Sequence, residues 1–305
     1  MGKGAFNFSL PNWGKIMDER KTVRSIVKIA QLGFDGIEFY AGSPYSLLTL
    51  GRAKLVEISE TLEQYEIEPV SIMPDYDAGA TDWWRTGKDF YSPIAAPQEF
   101  AQRVEESIKV GHELGCRKCN IHTMNRPEQS VPKEKAWRNL VSAFSKCAEV
   151  AEEYDLMLCN EVEPGMVFSH EDDIFRMLEE VRSDHYGVLV DSCLVHVISG
   201  GKPAELVAEL GSKVSHVHVS DQNESISELI ATKDEKINCP MDLLGGRVTV
   251  GTGVLDLQGI MATLLRAGYR DWVTIENAGI YVNADESVVA GREYIRELLE
   301  SLQGR

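Results

Sequence analysis

Residues 214–221 read Val-Ser-His-Val-His-Val-Ser-Asp (VSHVHVSD), an apolar run that carries two histidines and ends in an acid. Side chains alternate along a strand, so Val217 and Val219 share one face while His216, His218 and Ser220 share the other. Taken alone, an H-x-H in an apolar run is most simply a pair of hydrogen-bonded core histidines. The pattern is not alone. LGFDGIEFY (32–40), YEIEPVSIMPD (65–75), LGCRKCNIHT (114–123), YDLMLCNEVEPG (154–165), HYGVLVDS (185–192) and GYRDWVTIEN (268–277) repeat it, each an apolar run that finishes in a polar residue after a helical segment and a short turn. With FNFSL (6–10) they make eight expected strands.

Helical periodicity fills the intervals. Val23, Ile26, Val27 and Ala30, and again Leu140, Ala143, Phe144 and Cys147, show the i, i+3, i+4 spacing of an amphipathic helix. Gly33, Gly115 and Gly268 sit where a helix C-cap needs a left-handed residue. Eight strands alternating with helices over 305 residues predict an α/β chain folded as a single-domain (β/α)8 TIM barrel spanning 1–305, with no linker-like stretch to divide it. A doubly wound sheet is the competing arrangement. It is disfavoured because the one glycine cluster after a strand, Gly245-Gly246 to Gly253, is not a compact G-x-G-x-x-G turn. Two connections are long, 75–98 after the third strand and 222–247 after the seventh. Both leave carboxyl ends of strands, where a barrel keeps its active site, and are expected active-site loops. The first carries Trp83, Trp84, Phe90 and Tyr91, which suit substrate stacking, a self-packed loop or a subunit contact equally well.

Composition bounds the partners. Acidic residues number 48 against 31 basic ones, a net charge of −17 that repels nucleic acid and anionic membranes, so neither is expected as a partner. No run of 18 apolar residues occurs and MGKGAFNFSLPNWGK lacks the apolar core of a signal peptide, which predicts a cytoplasmic protein. The six cysteines (116, 119, 147, 159, 193, 239) are scattered, several in apolar runs, as reduced thiols are. Cys116-Arg-Lys-Cys119 has no second pair and leads into a strand, so it reads as packing rather than as a redox or zinc motif.

Parity at the strand ends gives the candidate site. In a barrel one strand face points to the central core and the other to the helices. Glu161 shares a face with Cys159 and Met157, Asp191 with Leu189, His218 with His216, and Glu276 with Thr274. Strands five to eight thus deliver carboxylate, carboxylate, imidazole and carboxylate to one rim. Three crowded carboxylates cannot all stay ionised uncompensated, and one divalent cation is the natural compensation. Three oxygens and a nitrogen suit Mn²⁺, the first expectation, or Mg²⁺, Co²⁺ or Zn²⁺; the lack of thiolates argues against structural zinc.

LGFDGIEF, HVHVSD, and above all VGTGVLDLQGI and AGYRDWVTIEN, resemble the sugar phosphate isomerase/epimerase family with the xylose-isomerase-like TIM barrel, nearly over the full length. That family includes ketose 3-epimerases, hydroxypyruvate isomerases, inosose dehydratases and type IV apurinic endonucleases. The resemblance implies that Glu161, Asp191, His218 and Glu276 are metal ligands, leaving His216 as a supporting or packing residue below them. A metal so held polarises a sugar carbonyl and hydroxyl and acidifies the adjacent C–H. In members that isomerise or epimerise ketoses the two glutamates flanking the metal also exchange the proton, which makes Glu161 and Glu276 acid/base candidates. His122, ending the fourth strand, is a third, or else a strand-capping histidine bonded to backbone.

The expected function is a divalent-metal-dependent isomerase or epimerase acting on a keto sugar through an enediolate. One departure bears on it: ketose 3-epimerases typically place histidine three residues after the strand-six aspartate, whereas Asp191-Ser192-Cys193-Leu194 has leucine there and His196 two residues on. The alternative is a carbon–oxygen or carbon–carbon lyase on an oxidised sugar, similar to inosose dehydratases or C-glycoside-cleaving enzymes, with His122 as base. The related endonucleases hold three zinc ions with additional histidines and grip phosphate with basic surface; seven histidines and a charge of −17 argue against that activity. A metal-stabilised binding module without turnover would differ from all of these by failing to exchange substrate protons with solvent. Trp13, Asp75, Glu163, His196, Asp221 and Arg247 are candidate substrate contacts, as is Glu38, each with an ordinary alternative as a loop-ordering or surface residue. Arg247, one cation among many acids, suits an anionic or keto group. No phosphate cradle is evident, which favours a non-phosphorylated carbohydrate. A homo-oligomer is expected, or a hetero-oligomer for the lyase.

Overall fold

The computed structural model describes residues 8–11, 20–42, 47–75, 92–122, 131–164, 168, 170–223, 246–276 and 284–304. The strands among the described residues are β1 (Phe8–Pro11), β2 (Gly36–Tyr40), β3 (Glu68–Met73), β4 (Lys118–His122), β5 (Met157–Glu161), β6 (Tyr186–Asp191), β7 (Val214–Val219), β8 (Asp221–Gln222), β9 (Arg247–Val248) and β10 (Val273–Ile275). Helices alternate with them: α1 (Arg20–Gln31), α2 (Arg52–Gln64), α3 (Pro97–Leu114), α4 (Lys133–Glu153), α5 (Glu171–Val181), α6 (Ser192–Ile198), α7 (Pro203–Leu210), α8 (Leu257–Arg266) and α9 (Ala284–Leu302). Strand β1 hydrogen-bonds to β2 on one side and to β10 on the other, so eight parallel strands succeed one another around a ring as β1-β2-β3-β4-β5-β6-β7-β10. β8 and β9 form a separate antiparallel pair that joins Asp221 to Val248 and Gln222 to Arg247. Most of the two long connections read in the sequence, with Trp83, Trp84, Phe90 and Tyr91, lies outside the described residues, as does Trp13.

The two faces of the ring differ in chemistry. Toward the helices point Ile37, Phe39, Ile72, Ile121, Leu158, Val190, Val217, Val219 and Ile275, all fully buried against residues such as Phe100, Leu140, Phe144 and Ile260. Each such side chain contributes about 1.5–3 kcal/mol through burial. The ring interior instead holds Glu38, Ser71, Lys118, Asn120, His216 and Thr274, also buried, so it is polar where barrels usually carry branched aliphatics. Polar groups without water must find one another: Asn120 Nδ2 donates to Ser71 Oγ at 2.9 Å, and Lys118 Nζ to Asp271 Oδ2 at 2.6 Å.

Helix ends follow the glycine reading. Gly115 closes α3 at φ 94°, with Cys116 N–H reaching back to Gly111 O at 2.8 Å, and Gly33 and Gly268 also take positive φ. The face of α4 is as read, since Leu140, Ala143, Phe144 and Cys147 are all buried. That of α1 is turned: Thr22, Ser25, Ile26 and Ile29 are buried while Val23, Val27 and Ala30 are only partly so. Two small polar residues here pack as core, which an apolar-only pattern misses. Among the described residues no helix is long and apolar enough to cross a membrane.

Candidate metal centre

Register places the candidate side chains. His122 pairs with Glu161, and Asp191 with His218; parallel partners point to the same side of a sheet, so these groups enter the ring interior together. β6 and β7 reach that register through a shift between Val188 and Leu189, where one extra residue of β7 lies against β6. Without it β7 would offer Ser215 and Val217 to the interior and turn both histidines to the helices. Gly187 makes room for the shift, since a Cβ there would lie 2.6 Å from Ser215 Cβ. Glu276 follows β10 directly, its N–H donating to Val219 O at 2.9 Å.

One donor atom from each of Glu161, Asp191, His218 and Glu276 lies within 4.8 Å of the other three. Donors bound at about 2.0–2.2 Å sit up to about 4.4 Å apart across one ion, so the group has the span of a cage for a single small cation. Its chemistry fits too. Three carboxylates face one imidazole, with His218 Nδ1 3.5 Å from Glu161 Oε1 and 3.6 Å from Glu276 Oε2, and the buried Glu161 Oε1 has no hydrogen-bond partner among the described residues. Asp191 is aimed by its own surroundings: Oδ1 accepts from Cys193 N at 2.8 Å and Leu194 N at 2.9 Å, while Ser220 Oγ donates to Oδ2 at 2.8 Å. Only Glu276 has appreciable exposure, 20%, so the group opens to solvent on that side.

Protonation shows the same strain. Burial, Glu276 and Glu161 outweigh Arg247 and push the Asp191 carboxyl up to about 7. Burial alone would raise Glu161 as well, but His122 and His218 hold it well below the usual carboxylate range. Burial works against charge on His218, yet Glu38, Glu161 and Glu276 raise it well above an ordinary histidine. The rises at Asp191 and His218 both run in the direction that crowded carboxylates impose on one another and on a neighbouring imidazole.

Below this layer Glu38 receives His218 Nε2 at 3.0 Å on Oε2 and, on Oε1, both His216 Nε2 and Thr274 Oγ1, the latter at 2.9 Å. Burial, only partly offset by Glu38, pushes His216 down to about 4, so it is neutral. Beside the four, His122 Nδ1 lies 2.8 Å from Glu161 Oε2 and 3.4 Å from Glu163 Oε1. Burial opposes its charge, but Glu161 and Glu163 prevail and raise it to about 10. Arg247, carried in by the β8–β9 pair, sets Nη1 3.5 Å from both Asp191 Oδ2 and Glu276 Oε2, and its buried Nε has no partner among the described residues.

The other candidate contacts are placed differently. Asp221 turns its carboxylate to the chain, accepting from Gln222 N, Gly251 N and Gly253 N at 2.9 Å and from Leu255 N at 3.3 Å. His196 is half-buried on α6 and belongs to none of the clusters. Asp75, half-buried after β3, donates its backbone N–H to Ser107 Oγ at 3.3 Å and also stands apart from them. Ser220, one two-residue step beyond His218 on the same face, serves the site by holding Asp191.

The chain belongs to the xylose isomerase-like TIM barrel family, which it matches over residues 26–298. It is similar to an inosose dehydratase of Histophilus somni (strain 129Pt), 25% identical over 176 residues that cover 56% of this chain and 58% of that one. It is also similar to an inosose dehydratase of Bacillus thuringiensis (strain Al Hakam), 22% identical over 95% of this chain and 93% of that one. The chain thus spans little more than half the length of the first of these relatives. Among solved structures it is similar to the 3-keto-D-glucoside 4-epimerase YcjR from E. coli, apo form, with a TM-score of 0.67 and 15% identity over 98% of this chain and 100% of that one. A second likeness is to the IOLI protein with a binding zinc atom, with a TM-score of 0.70 and 17% identity over 97% and 99%. At these identities the likenesses to solved structures speak for the fold.

Proposed function

We propose that the protein is a divalent-metal-dependent enzyme that removes a proton beside the carbonyl of a non-phosphorylated keto-carbohydrate. The observation that carries this reading is the convergence of Glu161, Asp191, His218 and Glu276 within 4.8 Å, three carboxylates and one imidazole aimed at one point. A bound divalent ion, Mn²⁺ first, supplies Lewis acidity to a carbonyl and a neighbouring hydroxyl oxygen; the zinc in IOLI supports a divalent ion on this fold. Glu161 and Glu276 hold carboxylates on either side of His218 and take or return the proton. His122, kept protonated between Glu161 and Glu163, donates to a departing oxygen. Arg247, anchored through Nη1 beside Asp191 and Glu276, offers a guanidinium N–H to a substrate oxygen. The net charge of −17 supports a small carbohydrate over a nucleic acid as partner.

The buried acid at His122 moves elimination of a group β to the carbonyl ahead of isomerisation, and similarity to inosose dehydratases supports that order. Epimerisation is the second reading, favoured by the Glu161 and Glu276 pair. The test is NMR of metal-loaded protein in D₂O with keto-cyclitols, keto sugars and 3-keto-glucosides. Loss of water or alcohol with formation of an enone is expected. Deuterium at the α carbon with all substituents retained would instead establish isomerisation, and no exchange with any of them would refute the reading.

A further inference from the structure

We propose that Glu38 is the positioning residue of the metal centre: its carboxylate grips both imidazoles of the H-x-H pair by Nε2 and so presents His218 Nδ1 to the ion. The inference rests on the cation site proposed above.

Glu38 stands on β2, across the ring from β7, and it and both histidines are no more than 1% exposed. His218 must give up a proton to bind an ion, and a neutral imidazole has one N–H and one lone pair. With Nε2–H donated to Glu38 at 3.0 Å, the lone pair of His218 falls on Nδ1, the atom that faces Glu161 and Glu276. The other tautomer would set a nitrogen lone pair against a carboxylate oxygen in a sealed interior, where no water can intervene. His216 and Thr274 hold the second oxygen, so the carboxylate cannot rotate away from His218. A carboxylate behind the ring also makes Nδ1 a stronger donor to a metal. Glu38, His216 and His218 offer three ligand atoms within 4.8 Å of one another, but hydrogen bonds already engage both Glu38 oxygens and both Nε2 atoms, so the group supports an ion above it rather than holding one.

Two readouts that need no turnover test this. The first is ¹⁵N NMR of histidine-labelled protein loaded with Cd²⁺, in which His218 is expected to be metal-bound at Nδ1 and protonated at Nε2. The second is metal affinity by competition with a chromophoric chelator. Glu38→Gln is expected to weaken binding about 10–100-fold, the range for partners behind a ligand, and Thr274→Val, which leaves the carboxylate in place, to weaken it a few-fold. If Glu38→Gln does not fold, the wild-type NMR and Thr274→Val carry the test. Coordination through Nε2, affinity unchanged in both variants, or a second metal equivalent that disappears with Glu38 would overturn the proposal. A wild type that binds metal through Nδ1 yet leaves every keto-carbohydrate unchanged would remove the enolisation reading and leave the role of Glu38 standing.

Discussion

At the rim of the ring Glu161, Asp191 and Glu276 face His218, whereas one layer below Glu38 faces His216, Thr274 and the underside of that same His218. Both layers are buried and acidic, but the lower one is closed by its own hydrogen bonds. The upper one holds more carboxylate than its donors can satisfy, and it answers by keeping Asp191 near 7 and His218 charged. Two imidazoles two residues apart on one face of β7 therefore end in opposite states, His216 pushed down to about 4 and His218 held well up. The difference teaches that a strand-end acid is a candidate ligand when it meets other acids in excess of the donors around it: Asp191 accepts two backbone amides and Ser220 Oγ yet still faces Glu161 and Glu276. Asp221, likewise just past a strand end, is neutralised by four backbone amides.

The largest effect should come from His122, which touches the upper layer without belonging to its four. His122→Gln is expected to lower kcat by about 10²–10⁴-fold, the range for a lost proton donor, with metal affinity nearly unchanged. Loss of metal in steady titrations would move His122 into the ligand set and erase the boundary drawn here. Next is Asp221→Ala, which takes the acceptor from four amide donors around a partly exposed turn. At about 1–3 kcal/mol for each unsatisfied group, partly relieved by water, it should cost about 3 kcal/mol in urea unfolding and leave metal binding intact; equal stability would mean that Asp221 faces the substrate after all.

Protons give the third comparison. Asp191 and His218 must each lose a proton to bind a cation, so metal affinity should climb with pH through about 7 and go on climbing above it, with proton release on loading. For the metal-free protein the sign is opposite: a carboxyl raised above its unfolded value contributes stability that is full below about 4 and lost as pH rises to about 7. Calorimetry with and without metal across pH 4 to 8 checks both trends, and a metal affinity flat across that window would contradict the reading of the upper layer. The smallest effect is expected from Arg247→Met, a roughly ten-fold rise in KM with kcat little changed, the size of one lost charge-assisted hydrogen bond. A rise in metal affinity with unchanged KM would show Arg247 to be a counter-charge to Asp191 and Glu276 instead.

Much of the upper layer is legible in sequence because it depends on local rules. Period-two alternation fixes which residues of β5, β6 and β7 share a face, and the glycines at 33, 115 and 268 mark helix ends without reference to anything distant. The lower layer depends on closure of the ring. Glu38 meets its histidines across 178 and 180 residues of chain, and no spacing within β2 reveals that pairing. The extra residue of β7 that aligns His216 with Leu189 is equally silent, since it exists only against β6. The partners of Asp221 are hidden for the same reason: the Gly251 and Gly253 amides that bind it come from the far side of a long connection.

The most direct test of the account is stoichiometric titration of the chelator-stripped protein with Mn²⁺ or Zn²⁺, wild type beside a correctly folded Asp191→Asn. The prediction is one equivalent per wild-type chain and none bound at the same free-metal concentration by the variant. A wild type that takes up no ion, or a variant that binds as tightly as the wild type, would contradict the claim that these four strand-end side chains make one cation site.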